Sequence, residues 1–158
     1  MQSTQFFLHG LESSSRGTKG RWFAENYPHI IIPDFAGGLS LRLHSLENLC
    51  GDTKNLVLVG SSFGGLMATV FAIAHQNQCS RLLLLAPALN FSEFSPPEKK
   101  ISTPTRLFIG KHDTVTPPDK VLPLANQTFL NLDVTICDDD HMLHTAFYKL
   151  DWQAMLKN

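Results

Sequence analysis

The sequence has few cysteines, no large excess of either charge and no long hydrophobic run. Its three cysteines, Cys50, Cys79 and Cys137, are widely spaced and form no C-x-x-C pair, which predicts reduced, packed thiols in a cytoplasmic protein. The 13 basic and 14 acidic side chains form no basic stripe, so nucleic acid is not an expected partner. The longest nearly uninterrupted apolar stretch, residues 82–89, is far shorter than the roughly 20 residues of a membrane span.

Other absences restrict the domain organisations and the kinds of chemistry that are possible. Residues 1–5 contain no basic segment and lead directly into an apolar run, so we expect no secretion signal. No internal repeat, low-complexity segment or linker interrupts the 158 residues, which predicts one domain over 1–158. The sequence also lacks H-E-x-x-H or a similar spacing, so no metal site is expected, and the aspartates at 138–140 are interpreted as a solvated loop.

Short apolar runs alternate with segments of helix length. Most of the runs are continuous rather than alternating, as in strands that are covered on both faces. The predicted strands are 5–8, 29–32, 55–59, 81–85, 106–109 and 133–137, and the predicted helices are 18–26, 39–49, 65–76, 118–127 and 144–156. This alternation predicts an α/β fold with a six-stranded, mostly parallel sheet and helices on both faces.

One motif lies between a predicted strand and a predicted helix. Gly60-Ser61-Ser62-Phe63-Gly64 fits the G-x-S-x-G nucleophile elbow, in which the central serine occupies a tight turn and the flanking glycines let strand and helix approach each other. Ser61 does not fit, because its own frame would require glycine at Val59 and Phe63. The motif predicts Ser62 as a nucleophile.

Partners for Ser62 are expected after later strands, because ligands of an open α/β sheet bind beyond the carboxyl ends of its strands. Asp113 and His141 stand there, giving the chain order Ser, Asp, His of the α/β-hydrolase triad. Asp113 could alternatively cap a helix or turn. His144 competes with His141 as the base, but it is expected in the first turn of the last helix, which favours His141.

Negative charge that develops in acyl transfer requires fixed donors, and backbone N–H groups serve this purpose. The N–H of Phe63, at the start of a helix, is one predicted donor, and the N–H of Leu11, after the first strand, is the second. His9 and Gly10 precede Leu11 and are expected to border the substrate site, His9 as a structural residue of the loop.

The run from Phe7 to Lys19, FLHGLESSSRGTK, together with Gly60 to Gly65, resembles the small bacterial YqiA-like esterases of the α/β-hydrolase superfamily. This resemblance implies a hydrolase of carboxylic esters or thioesters with Ser62, Asp113 and His141 as its triad and with no cofactor. It also implies that the sheet has the order second, first, third, fourth, fifth, sixth strand. The aspartates before His141 depart from the family pattern, in which this loop usually contains a glycine.

Substrate choice should depend on the short segment between the fourth and fifth predicted strands. Leu89, Phe91 and Phe94 are the apolar residues of that segment that could line an acyl site, or they could pack on the sheet edge. This segment is the only candidate for a cap over the site, and a cap this short predicts an open cleft for small or extended acyl groups.

Two alternatives to a hydrolase stay open: a catalytically silent binding module of the same fold and an acyltransferase with the same acyl-enzyme. The sequence leaves the oligomeric state open.

Overall fold

A sheet of five parallel strands runs through the centre of the computed structural model, which describes residues 1–158. The strands lie in the order β1-β2-β3-β4-β5, and every neighbouring pair is parallel. Their bounds are β1 Thr4–Leu8, β2 Leu56–Ser61, β3 Cys79–Leu85, β4 Thr105–Gly110 and β5 Leu132–Cys137. Parallel strands of this kind confirm the predicted α/β class.

Helices cover both faces of the sheet. They are α1 Thr18–Asn26, α2 Leu39–Cys50, α3 Phe63–Ala74, α4 Pro118–Thr128, α5 Ala146–Lys149 and α6 Trp152–Leu156. Alternate residues of β1 enter different cores: Phe6 belongs to the core that also contains residues of α2, α3 and α4, whereas Phe7 belongs to the core that contains residues of α1, α5 and α6. None of these helices combines the length and the apolar character that crossing a bilayer requires.

The predicted strand at 29–32 is reduced to a single bridge, so the expectation of six strands was wrong by one. Only Ile31 pairs with the sheet, beside Phe6 of β1. Its N–H donates to the Gln5 carbonyl, and its own carbonyl accepts the Phe7 N–H. The next N–H of such a parallel ladder would come from Pro33, which has none. The segment therefore lies beside β1, as the predicted strand order requires, but it forms only this one bridge.

The last predicted helix, 144–156, is interrupted. It forms two short helices, α5 and α6, separated by Leu150, whose backbone is extended at ψ 142°. Asp151 immediately precedes α6, and its side chain accepts a hydrogen bond from the Ala154 N–H. This is the pattern of a helix N-cap, so Asp151 was a sequence signal that favoured a break at this position.

The three cysteines form no disulfide. Cys50 and Cys79 are buried, and burial raises the pKa of Cys50 to about 11 and that of Cys79 to about 12. Both side chains therefore act as neutral, apolar packing groups at neutral pH.

Candidate active site

Ser62 occupies the turn between β2 and α3, with a left-handed backbone at φ 54° and ψ −113°. This sparsely populated conformation costs a residue other than glycine on the order of 1–3 kcal/mol, so it persists only where neighbouring groups hold it. Four backbone hydrogen bonds do so here: the Ser62 N–H donates to the Leu85 carbonyl at 2.9 Å, and the Ser62 carbonyl accepts the N–H groups of Gly65, Ala88 and Leu66 at 2.9, 3.0 and 3.1 Å. The turn presents Ser62 to the cavity beyond the strand ends.

The glycines that flank Ser62 have a steric reason. A Cβ at Gly60 would collide with the Gly64 carbonyl, and a Cβ at Gly64 would collide with the carbonyls of Leu8 and His9. Strand β1, strand β2 and the start of α3 can therefore approach this closely only because both positions lack a side chain.

The side chains of Ser62, Asp113 and His141 lie in one chain of hydrogen bonds. Nε2 of His141 lies 3.0 Å from Ser62 Oγ, and its Nδ1 lies 2.8 Å from Asp113 Oδ2. Since the carboxylate can only accept, this network assigns the proton to Nδ1 and leaves the Nε2 lone pair facing the serine hydroxyl. The Asp113 side chain is fully buried, whereas that of His141 is 18% exposed.

Thr116, which was not among the site residues predicted from the sequence, also contacts Asp113. Its hydroxyl donates to Asp113 Oδ2 at 2.7 Å and lies 3.1 Å from His141 Nδ1. Asp113 Oδ1 accepts the N–H groups of Val115 and Thr116 at 2.8 and 2.7 Å. Asp113 thus also forms the tight turn that was its alternative interpretation, and the D-x-x-T spacing was the signal for Thr116.

The pKa of Asp113 reflects two opposing effects. Burial acts to raise it, but hydrogen bonds from the Thr116 hydroxyl, from His141 and from the Thr116 N–H act in the other direction, and the net pKa lies below its ordinary value. Asp113 is therefore a carboxylate at neutral pH, as a partner of the His141 imidazole must be.

The residues of the two predicted oxyanion donors, Phe63 and Leu11, line the same cavity as Ser62. Phe63 is the first residue of α3, so its N–H has no acceptor within the helix. The Leu11 N–H donates to no other protein group. Next to it, Gly10 lies against Ser62, and His9 is buried with both ring nitrogens engaged by backbone, the Gly10 carbonyl at 2.7 Å and the Phe35 N–H at 2.9 Å. His9 therefore shapes this loop and has no free ring nitrogen for a substrate.

A cavity of about 730 Å³ opens over Ser62 and His141. Of the three apolar residues predicted to line an acyl site, only Phe91 lines this cavity; its ring packs edge-on against that of Phe63 at 5.4 Å. Leu89 and Phe94 instead belong to the core on the α3 face of the sheet. The segment turns inward at both positions, so the expectation for these two residues is corrected.

The loop that carries His141 is held by its aspartates and by a lysine from α1. Asp139 accepts the N–H groups of Thr145 and Ala146 at 2.9 and 2.8 Å and so caps α5. Lys19 Nζ donates to the Met142 carbonyl at 2.7 Å; burial lowers the pKa of Lys19, which Asp139 and Asp140 partly offset. The predicted solvated loop therefore has a defined structure, and neither Lys19 nor this role of Asp139 had been anticipated.

His144, the competing base, lies apart from the triad. It precedes α5 rather than lying within a helix, its side chain is 68% exposed, and its Nδ1 lies 3.1 Å from Asp140. Among the two histidines, only His141 contacts Ser62 and Asp113.

No protein-family model and no curated protein matches this sequence, but solved structures match it along nearly its whole length. A monoacylglycerol lipase from Paleococcus ferrophilus matches with a TM-score of 0.78 and 13% identity, over 98% of this chain and 95% of its own. A structure from Agrobacterium vitis described as a hydrolase gives a TM-score of 0.76 and 21% identity, covering 99% and 88%. One from Xanthomonas campestris, described as a hydrolase of the α/β superfamily, gives 0.75 and 21%, covering 94% and 93%.

These likenesses show that the chain has the α/β-hydrolase fold, with five strands and a small cap. The narrower resemblance to YqiA-like esterases stays a prediction.

Proposed function

We propose that this protein is a serine hydrolase that cleaves carboxylic esters or thioesters through an acyl-enzyme on Ser62. The observation that carries the proposal is the hydrogen-bond chain from Asp113 through His141 to Ser62, with distances of 2.8 and 3.0 Å. Each member has the partner that its role requires: a nucleophile beside a base, and a base that a buried carboxylate orients.

The proposed reaction has two halves. Ser62 Oγ attacks the acyl carbon while His141 Nε2 takes the hydroxyl proton, and the carbonyl electron pair moves onto oxygen. When that oxyanion collapses, the bond to the leaving group breaks, and the alcohol or thiol departs with the proton from His141. Water then attacks the acyl-enzyme by the same route, which releases the acid and restores Ser62.

The N–H groups of Phe63 and Leu11 are the proposed donors to the oxyanion. They are backbone groups of residues that line the same cavity as Ser62, and neither is needed to satisfy a protein carbonyl. Donors already in place at the start of the reaction stabilise developing charge without reorganisation.

Other observations support the choice of substrate. One of the structural neighbours is a monoacylglycerol lipase, and the resemblance to YqiA-like esterases points to the same chemistry. The cavity is lined by Phe91 and by residues of the loops that follow the strands rather than by a large cap, which suits small or extended acyl groups. The cytoplasm is the proposed location, since all three cysteines are unpaired.

A fluorophosphonate probe tests the mechanism, because it labels an activated serine and not a passive one. The wild-type protein should be labelled once, on Ser62, and should hydrolyse p-nitrophenyl or thioester substrates from a set of graded acyl length. Absence of both labelling and hydrolysis would favour a silent binding module, and acyl transfer to an added alcohol or thiol in preference to water would favour an acyltransferase.

A further inference from the structure

Arg42, on α2, is a buried arginine outside the proposed triad. The residue is only 4% exposed, and its Nη1 is the one buried side-chain nitrogen or oxygen of the chain that has no hydrogen-bond partner. No carboxylate forms an ion pair with it, and burial lowers its pKa against an opposing effect of Glu12. A buried arginine without a paired carboxylate destabilises a fold, so its presence requires an explanation.

The remaining groups of this guanidinium contact both sides of the proposed oxyanion hole. Nη2 donates to the Leu11 carbonyl at 3.2 Å, and Nε donates to the Gly37 carbonyl at 2.8 Å. The guanidinium carbon also lies 5.3 Å from the centre of the Phe63 ring, within the range of a cation–π contact. One side chain thus connects the turn that carries one donor to the residue that supplies the other.

We propose that Arg42 is a positioning residue for the oxyanion hole, which fixes the Leu11 turn relative to Phe63 and places a positive charge, in no ion pair, beside the two residues that supply the N–H donors. The inference rests on the proposed function, because it concerns where negative charge develops in that reaction. Arg42 does not line the cavity, so it acts through Leu11 and Phe63 and not by touching the substrate.

A purely structural arginine would not need this arrangement. An apolar side chain would fill the same volume in this core without the cost of desolvating a charge. The guanidinium, in contrast, donates to the carbonyls of Gly37 and Leu11 from two different nitrogens in one rigid plane; lysine has only a single, freely rotating nitrogen, and methionine has no donor. Its charge, in a site of low dielectric, favours an anion formed nearby.

The test compares Arg42→Met and Arg42→Lys with the wild type in p-nitrophenyl acetate hydrolysis, with active sites counted by fluorophosphonate labelling. Arg42→Met should lower kcat per labelled site about 10- to 100-fold with KM within about threefold, a smaller loss than removal of a donor itself. The inhibition constant of an aryl trifluoromethyl ketone, whose adduct with serine carries an oxyanion, should rise in parallel. Arg21→Met, at an exposed arginine of α1, is the matched control and should change neither value.

Arg42→Lys keeps the charge but loses the fork, so its losses should be smaller, about three- to tenfold. It also keeps the test decisive if Arg42→Met does not fold. A role in stability alone would reduce the number of labelled sites and the Tm while leaving kcat per site and the ketone constant unchanged, and that result in either folded variant would overturn the proposal. If the wild type itself neither labels nor hydrolyses esters, the proposed function fails independently of Arg42.

Discussion

Gly110, the last residue of β4, lies directly against the carbonyl of Asp139 in the loop that carries His141. A Cβ at Gly110 would lie far inside van der Waals contact with that oxygen and 2.6 Å from the Asp140 carbonyl. The Asp139 carbonyl also accepts the His112 N–H at 3.1 Å, so the loops after β4 and β5 are fixed to each other here. The loop before His141 contains no glycine of its own, and Gly110 of the neighbouring strand allows the close packing.

This contact predicts that Gly110→Ala displaces the His141 loop. A shift of about 1 Å in a catalytic group can cost on the order of 100-fold in rate, so kcat should fall by about that factor. Gly38→Ala is the control, because a Cβ there meets nothing within 4 Å, and it should have the activity of the wild type. Steady-state kinetics and circular dichroism check both, and activity within threefold of wild type in a folded Gly110→Ala variant contradicts the argument.

Much of the fold could be predicted because the strands are buried on both faces and so appear as continuous apolar runs. The segment at 29–32 has such a run, but Pro33 removes the N–H that the next ladder bond requires, which an apolar pattern does not reveal. The break at Leu150 was equally hidden, apart from the capping residue Asp151.

The site could be predicted only in part, because some of its residues belong to local sequence motifs and others reach the site only through packing. The order of Ser62, Asp113 and His141 follows from a motif and from strand ends, which are local features of the sequence. Arg42 and Lys19 lie on helices that are distant in the chain from the groups they contact. Only packing brings Arg42 to Leu11 and Lys19 to Met142.

Removal of the nucleophile is the simplest test of the proposed reaction. Ser62→Ala removes one oxygen from the cavity and none from the core, so the Tm should change little. Hydrolysis should fall to about a thousandth of wild type or less, and fluorophosphonate labelling should disappear. Ser61→Ala, in the adjacent position, should keep its labelling; equal labelling of wild type and Ser62→Ala would sink the assignment.

Thr116→Val removes the hydroxyl that donates to Asp113 while keeping the volume of the side chain. Burial, which raises the pKa of Asp113, is then opposed by fewer hydrogen bonds. The pKa of Asp113 should therefore rise toward or above its unfolded value. A buried charge that loses a hydrogen bond costs about 1–3 kcal/mol, and the free energy of unfolding at pH 7 should fall by that amount.

The sign of the pH dependence follows from linkage. Asp113 has a lowered pKa when folded, so its contribution to stability is complete above the unfolded pKa and is lost as the pH falls below about 5. In Thr116→Val the free energy of unfolding should therefore decline less steeply between about pH 5 and pH 3. Urea unfolding across this range measures the slope, with Thr114→Val, at an exposed threonine of the same loop, as the control that should keep the steeper decline.

Phe91 and Leu89 are two residues apart but should respond in different ways. Phe91 lines the cavity and packs against Phe63, so Phe91→Ala should move the acyl length at which kcat/KM is highest and cost only about 0.5–1.5 kcal/mol of stability through the lost aromatic pair. Leu89 is fully buried, so Leu89→Ala should cost about 2–5 kcal/mol of stability and leave the preferred length in place. A series of p-nitrophenyl esters and urea unfolding distinguish the two, and a preference for long chains that Phe91→Ala does not alter would show that the acyl group binds elsewhere.

His141 and His144 are both available as bases in the sequence, and mutation of each should separate them. A general base must lie within about 3 Å of the serine oxygen, directly or through one water, and His141 Nε2 lies 3.0 Å from Ser62 Oγ. His141→Ala should lose activity about as completely as Ser62→Ala, and the double variant should be scarcely worse than either, because the members of a triad act as a unit. His144→Ala should keep at least about a tenth of the wild-type kcat, since its side chain is exposed and hydrogen-bonds to Asp140 and not to Ser62 or Asp113. An inactive His144→Ala beside an active His141→Ala, measured as kcat per folded protein, would transfer the role of base to His144.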